Sequence, residues 1–335
     1  MRNRHFIRRL LSIPGSIISL PLWTLLTPVW AVVSVIVDLA TGLRRLPTLR
    51  LCVFLLVFLV HDWIGILAGG WLWLTGAFGR RLNLDAHRRV QGWWGNSLLE
   101  WGRRLLGVRL QFDDLSTLPT KTFVLLSRHA SMVDAVIPVT IVIKRMDRFI
   151  HYVLKRELRW IPSMDLFGGR LGNHFVARGA DTDAEETAIE AMAAESQPDA
   201  ALIIFPEGTY ATPATRTRVL DSLRKKGEDE VAAWAETLVN LLPPKPAGTL
   251  AMLRGQPDAD VVIIGHVGLE GVAELKGLRS RLPLPHPVRI KWWVHRRSDL
   301  PTTDEELVDW LSDRWAELDR WVTGVQAERA ATVGA

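Results

Sequence analysis

Two long apolar stretches constrain this chain more than any other feature. No charged side chain occurs from Leu10 to Val37, and between Leu51 and Gly79 the only one is Asp62, beside His61. Each stretch exceeds the ~20 residues that span a hydrocarbon core, so both are expected to be embedded in a membrane. Pro14, Pro21 and Pro28 interrupt the first; proline inside a helix removes a backbone hydrogen bond and kinks or divides it. A cleaved signal peptide would be shorter and would lack a second stretch behind it.

Arginine placement sets the expected topology. Arg2, Arg4, Arg8 and Arg9 precede the first stretch, Arg44, Arg45 and Arg50 lie between the two, and Arg80, Arg81, Arg88 and Arg89 follow the second. Two full crossings would put the middle group outside, whereas a hairpin dipping into one leaflet keeps all three groups beside anionic head groups on the cytoplasmic side. The expected location is the cell membrane, with the rest of the chain in the cytoplasm. Through Leu110 there are 14 Arg, no Lys and 4 acids, against 27 basic and 32 acidic side chains in the remainder, so the basic third is the membrane-facing third. Membrane phospholipids are therefore the expected surface partner, and nucleic acid is not. Trp71 and Trp73 suit the interface, and Asp62 with His61 reads as a wet pair near a re-entrant turn. The single cysteine, Cys52, permits no internal disulfide.

Four regions follow: a membrane anchor over 1–82, an amphipathic linker helix over 83–110, an α/β domain over 111–327 and a frayed tail over 328–335. In the linker, Val90, Trp93, Trp94, Leu98, Trp101 and Leu105 recur at helical spacing against Arg88, Arg89, Arg103 and Arg104. That face suits either the membrane surface or a protein core. Beyond it, strand-like runs at 108–112, 122–127, 149–153, 174–176, 201–205, 261–267 and 288–294 alternate with helical runs at 133–144, 184–194, 220–242 and 305–322. The alternation predicts a sheet flanked by helices.

Two of these strands end in polar clusters. Thr122 to Ser127 leads into His129 and Asp134, and Ala201 to Ile204 leads into Phe205-Pro206-Glu207-Gly208-Thr209. Strand ends on one edge of an open α/β sheet are where such folds hold their sites. A histidine near its reference pKa can take a proton from a hydroxyl, and a carboxylate can fix its tautomer, which gives His129 and Asp134 their expected roles as base and partner. Ser131-x-x-Asp134 also reads as the acidic start of a helix, and both readings stand. His129, His151, His174 and His266 show no metal-ligand spacing. No G-x-S-x-G nucleophile elbow occurs.

Ser127-Arg128-His129-Ala130-Ser131-Met132-Val133-Asp134, then Lys155-Arg156-Glu157-Leu158-x-x-Ile161-Pro162, then Gly172-Asn173-His174-Phe175-Val176-Ala177-Arg178, then Phe-Pro-Glu-Gly-Thr, resemble in that order the glycerolipid acyltransferase family. The likeness runs from about residue 85 to 320. Leu241 to Gly248 and Asp304 to Leu311 resemble its branch of broad lysophospholipid acyltransferases. The resemblance implies an acyltransferase-type mixed sheet flanked by helices. It implies transfer of a fatty acyl group from acyl-CoA or acyl carrier protein to the free hydroxyl of 1-acyl-sn-glycerol-3-phosphate, with no metal or bound cofactor. It places the acceptor phosphate on Arg178, whose planar fork suits phosphate oxygens. Glu207 is expected to orient Arg178 or the loop, the Gly208 and Thr209 N–H groups to approach the anion, Lys155 to add a charge or to be a solvated strand end, and Ser131 to line the site.

This chain departs from the family pattern at three places: Arg128 stands for the common Asn, Tyr210 for a frequent Arg, and Val261 to Gly265 lack the usual proline. Another lysophospholipid acceptor, or a silent lipid-binding protein of the same fold, are the alternatives.

Overall fold

The structure, a computed structural model, describes residues 2–334 except 77, 79, 80, 113–117, 178, 180, 271, 273 and 274. Contacts divide the chain into two interleaved units: Met1–Arg109 with Val136–Asp181 and Lys276–Pro287, and Leu110–Ala135 with Thr182–Leu275 and Val288–Ala335. Seven strands are described: β1 (Leu110–Phe112), β2 (Phe123–Ser127), β3 (Ile150–Lys155), β4 (His174–Val176), β5 (Ala201–Ile204), β6 (Asp260–Val267) and β7 (Val288–His295). Each lies within a residue or two of an expected strand.

The first unit is mainly helical and includes the parallel pair β3–β4. Its N-terminal helices are α1 (Arg2–Leu25), α2 (Thr27–Ala40), α3 (Pro47–Thr75) and α4 (Leu84–Leu106). Pro14 and Pro21 remain inside α1, while Pro28 lies in the first turn of α2, where a missing N–H costs nothing. The first apolar stretch is thus two helices bent by 68°, long and apolar enough to cross a membrane only if taken together; among the described residues α3 is the one single helix that is.

The acidic side chains of α2 and α3 are not wet. Asp62 is midway along α3 and buried, accepting from Ser163 N at 2.9 Å and from Ser16 Oγ. It caps the helix Pro162–Arg170, whose own N-cap residue, Ile161, has no side-chain acceptor. His61 bonds Val57 O at 2.7 Å and Ser97 Oγ at 2.8 Å. The expectation of a solvated pair is therefore corrected: each polar atom has a protein partner because water would be scarce there. Asp38 plays the same part at the start of α3, accepting from Thr48 N at 2.9 Å and Leu49 N at 3.2 Å, with Arg279 at 3.4 Å.

Asn83 caps α4 through Ala86 N at 3.0 Å. Its tightest contacts are through glycines: a Cβ on Gly92 would stand 2.5 Å from Ile143, and one on Gly95 2.6 Å from Val139. Trp93 stacks on His61 and Trp94 meets Phe58 edge-on. The linker helix therefore packs as protein core along much of its length, although Trp93 stays 41% exposed. The helix expected over 133–144 is three short pieces: a 3₁₀ turn Met132–Ala135, one α turn Val136–Pro138 and a wider π turn Val139–Arg145.

In the second unit the strands run in the order β1-β7-β6-β2-β5. β2 is parallel to β5 and β6, β7 is antiparallel to β6, and β1 is parallel to β7. β2 and β5 are buried throughout, as their unbroken apolar sequences require. The helix expected over 220–242 is two, Pro213–Lys225 and Asp229–Thr237. Gly227, at φ +78°, ends the first, with Glu228 N donating back to Leu223 O at 3.0 Å. The last helix runs Asp304–Gly334, through the residues expected to fray; Val325 is buried and Arg289 pairs with Glu328 at 2.8 Å.

Candidate active site

Because β2, β5 and β6 are parallel, their C-terminal ends fall on one edge of the sheet. β2 delivers His129, the loop after β5 delivers Glu207 to Tyr210, and His266 lies near the end of β6. The His129 ring sits between Phe205 and Tyr210, with centroids 4.5 and 4.3 Å away. Its Nδ1 lies 3.3 Å from Asp134 Oδ2. A nitrogen facing a carboxylate carries its hydrogen, which leaves Nε2 to accept a proton. Asp134 also accepts from Ala130 N at 2.5 Å, Ser131 N at 2.7 Å and Ser131 Oγ at 2.7 Å. The two sequence readings of Asp134 coincide: one carboxylate closes the turn and faces the imidazole. Burial alone would raise its pKa, but the imidazoles of His266 and His129 outweigh this and hold it well below the usual carboxylate range.

Glu207 is fully committed to backbone. Oε1 accepts from His129 N at 2.8 Å and Oε2 from Leu242 N at 3.0 Å. Burial pushes its pKa up to about 7, against the opposing pull of those two N–H groups and of Arg128. It joins the turn carrying His129 to the segment 238–242, which is itself held by Asp319: its carboxylate accepts from Val239 N, Asn240 N and Leu241 N at 2.9, 2.7 and 3.0 Å. Trp315 Nε1 donates to Leu242 O at 3.1 Å. Leu242, in one of the two segments resembling a branch of the family, is thus held by the helix that begins with the other, Asp304–Gly334.

Gly208 has φ +67°, and a Cβ there would stand 3.3 Å from Lys245 Nζ. Its N–H donates to Phe205 O at 3.0 Å, so the donor expected for an anion is used inside the turn. Tyr210 is half-buried beside His129; burial and the Asp134 charge push its phenol up to about 12, so it remains protonated at neutral pH. Arg128, the departure from the family's Asn, is buried and donates to His266 O and to Glu270. Glu270 Oε2 also accepts from Gly268 N at 2.7 Å. Although burial opposes it, the Arg128 guanidinium lowers the Glu270 pKa.

Of the residues singled out from sequence, His129, Ser131, Asp134, Glu207, Gly208 and Thr209 lie in this one unit. Lys155 ends β3 in the helical unit, half-buried and in register with Val176. Arg178 lies outside the described residues. Sequence reasoning passed over His266, Glu270, Lys245 and Asp319. The available signal for His266 was its place two residues beyond Ile264, which pairs with Ser127 of β2. Among the described residues, no three His, Cys, Asp or Glu side chains form a metal-binding group.

A histidine paired with a buried carboxylate stands at the edge of a mixed α/β sheet, tied to a Phe-Pro-Glu-Gly-Thr loop, and residues 109–246 match the model of the family described as acyltransferase. Over those residues, less than half of its length, the chain carries an acyltransferase domain. It is 25% identical over 264 residues to mouse (Mus musculus) 1-acyl-sn-glycerol-3-phosphate acyltransferase epsilon, covering 75% of this chain and 70% of that protein. Its fold is similar to that of the 1-acyl-sn-glycerophosphate acyltransferase PlsC from Thermotoga maritima, with TM-score 0.53 and 17% identity, covering 83% of this chain and 98% of that one.

Proposed function

We propose that this chain moves a fatty acyl group from acyl-CoA, or from acyl carrier protein, onto the free hydroxyl of 1-acyl-sn-glycerol-3-phosphate. The observation that carries the reading is the buried His129–Asp134 pair fixed to the Glu207 loop. As the acceptor oxygen attacks the thioester carbonyl, its proton passes to His129 Nε2, Asp134 steadies the imidazolium, and the same proton then leaves on the thiol. No protein nucleophile, metal or bound cofactor enters this reading. Arg178 holds the acceptor phosphate, with Lys155, Ser131 and the Thr209 N–H as further contacts, while Glu207 and Gly208 shape the loop.

The test is turnover of labelled acyl-CoA by the purified protein against a panel of lysophospholipids, with products resolved by mass. His129→Ala is expected to cost at least about 100-fold while folding is retained. Near-normal turnover in that variant would remove His129 as the base. Arg178→Ala is expected to raise KM for the acceptor and leave KM for the donor almost unchanged; equal rises would assign Arg178 to loop structure instead.

We also propose that α1–α3 form a hairpin in one leaflet of the cell membrane, with the catalytic residues on the cytoplasmic side. The support is the bend between α1 and α2 together with arginines at all three flanks. In a Cys52→Ser background, a cysteine introduced at Arg45 should resist impermeant reagents applied to intact cells. Strong labelling there would mean two crossings.

A further inference from the structure

Asp134 serves two imidazoles. His129 faces Oδ2, and His266, fully buried on β6, brings Nε2 to 3.6 Å from Oδ1. The same Nε2 lies 3.2 Å from Arg128 O. Both neighbours of that nitrogen are oxygens that only accept, so Nε2 carries the hydrogen. Among the described residues Nδ1 of His266 is buried without a hydrogen-bond partner, so none of them competes for the tautomer. His266 and Glu270 lie beyond the segment that matches the acyltransferase family model.

The surrounding charges make this placement consequential. Arg128, from the end of β2, is paired with Glu270 from beyond β6, and Arg329 of the last helix also feels Glu270. Glu207 and Tyr210 face the cluster from the β5 loop. Arg128 and Glu270 are paired and Glu270 also interacts with His266, while Asp134 is the charge that the two imidazoles share. Three local donors already satisfy its turn-forming role, so His266 is not needed to bury it.

We propose that His266 is a positioning residue of the acyl transfer: donating Nε2–H toward Asp134 from the side opposite His129, it holds the carboxylate in place and draws off part of its charge. It thereby sets how strongly His129 keeps the proton taken from the acceptor hydroxyl. An undivided Asp134 charge would hold that proton more tightly, so the base form of His129 would be lost at a higher pH as pH falls. The inference rests on His129 being the base. Failure of that reading would appear as turnover in His129→Ala, whereas the test below is made with His129 intact.

The experiment is kcat/KM for the lysophospholipid acceptor from about pH 5 to about pH 9 on the full chain in vesicles, for His266→Met, His266→Asn and His266→Gln. The Gln amide nitrogen reaches the place of Nε2; Met has no donor and the Asn amide stops short. Met and Asn are expected to move the acid limb up by about half a pH unit or more, with KM for both substrates unchanged, while Gln keeps the wild-type limb. Should the Met variant fail to fold, the contrast of Asn with Gln decides by the same criterion. Superimposed limbs in all folded variants, or a Gln limb displaced as far as that of Asn, would overturn the proposal and leave His266 as core.

Discussion

The helical unit and the sheet unit both bury carboxylates, yet to different ends. Asp38 and Asp62 accept from backbone N–H and hydroxyl groups at helix starts, and Asp38 has an arginine as well. Asp134 also closes a turn through backbone N–H groups, but its remaining faces meet two histidines. Burial of an acid is therefore a poor mark of chemistry by itself. What separates Asp134 from Asp38 and Asp62, and from Asp319 in its own unit, is the partner: hydroxyls, backbone and guanidinium groups keep one protonation state across neutral pH, whereas an imidazole can change.

That contrast is broken most severely at Asp134. Asp134→Asn keeps the size of the side chain but removes the charge that steadies imidazolium and offers an amide where Nδ1–H needs an acceptor. Turnover should fall by roughly 1,000-fold or more with KM values little changed. A loss below about tenfold in the purified variant would show that Asp134 acts only as the turn closure.

Glu207 lies between the two classes, since its oxygens meet only backbone although its loop borders the base. Glu207→Gln turns one acceptor into a donor facing an N–H, which should cost about 1–3 kcal/mol of stability. Loosening the His129 backbone should lower turnover roughly 10-fold. The wild type carries a pH signature here. Its pKa is raised from the ordinary 4.5 to about 7 in the fold, so the folded state binds the extra proton. The contribution of Glu207 is full below 4.5 and is lost as pH rises through about 7, a change of roughly 3 kcal/mol. Thermal unfolding at acidic and alkaline pH should show the gap between wild type and Gln variant narrowing as pH rises; a constant gap would place Glu207 at its ordinary pKa.

Much of this was legible in the chain. All seven strands could be read because continuous runs such as Val261 to Ile264 have few alternatives to a doubly covered strand. His129, Asp134 and the Glu207 loop could be read because they follow such strands directly. The break at Gly227 was hidden, since the helical pattern resumes after it, and only the left-handed turn shows that two helices are needed. His266 was hidden for another reason: from sequence it is a lone histidine in an apolar strand, and its meaning comes from the pairing of β6 with β2. Asp62 was misread because an acid in an apolar stretch suggests water, while its partner, Ser163, lies 101 positions away.

Asp62 therefore offers the smallest catalytic effect and the sharpest control. Asp62→Asn keeps an oxygen for Ser163 N and can turn its amide to Ser16 Oγ, but it loses the charge that strengthens both bonds, so the cap on the helix Pro162–Arg170 weakens. The expected cost is about 1–3 kcal/mol, read as a lower unfolding temperature in detergent. Turnover per folded molecule should stay within about twofold of wild type, with an unchanged pH profile, because the groups that Asp62 accepts from, Ser163 N and Ser16 Oγ, do not titrate. A displaced acid limb in Asp62→Asn would mean that an anchor carboxylate tunes the base, and the division drawn between the two regions would fail.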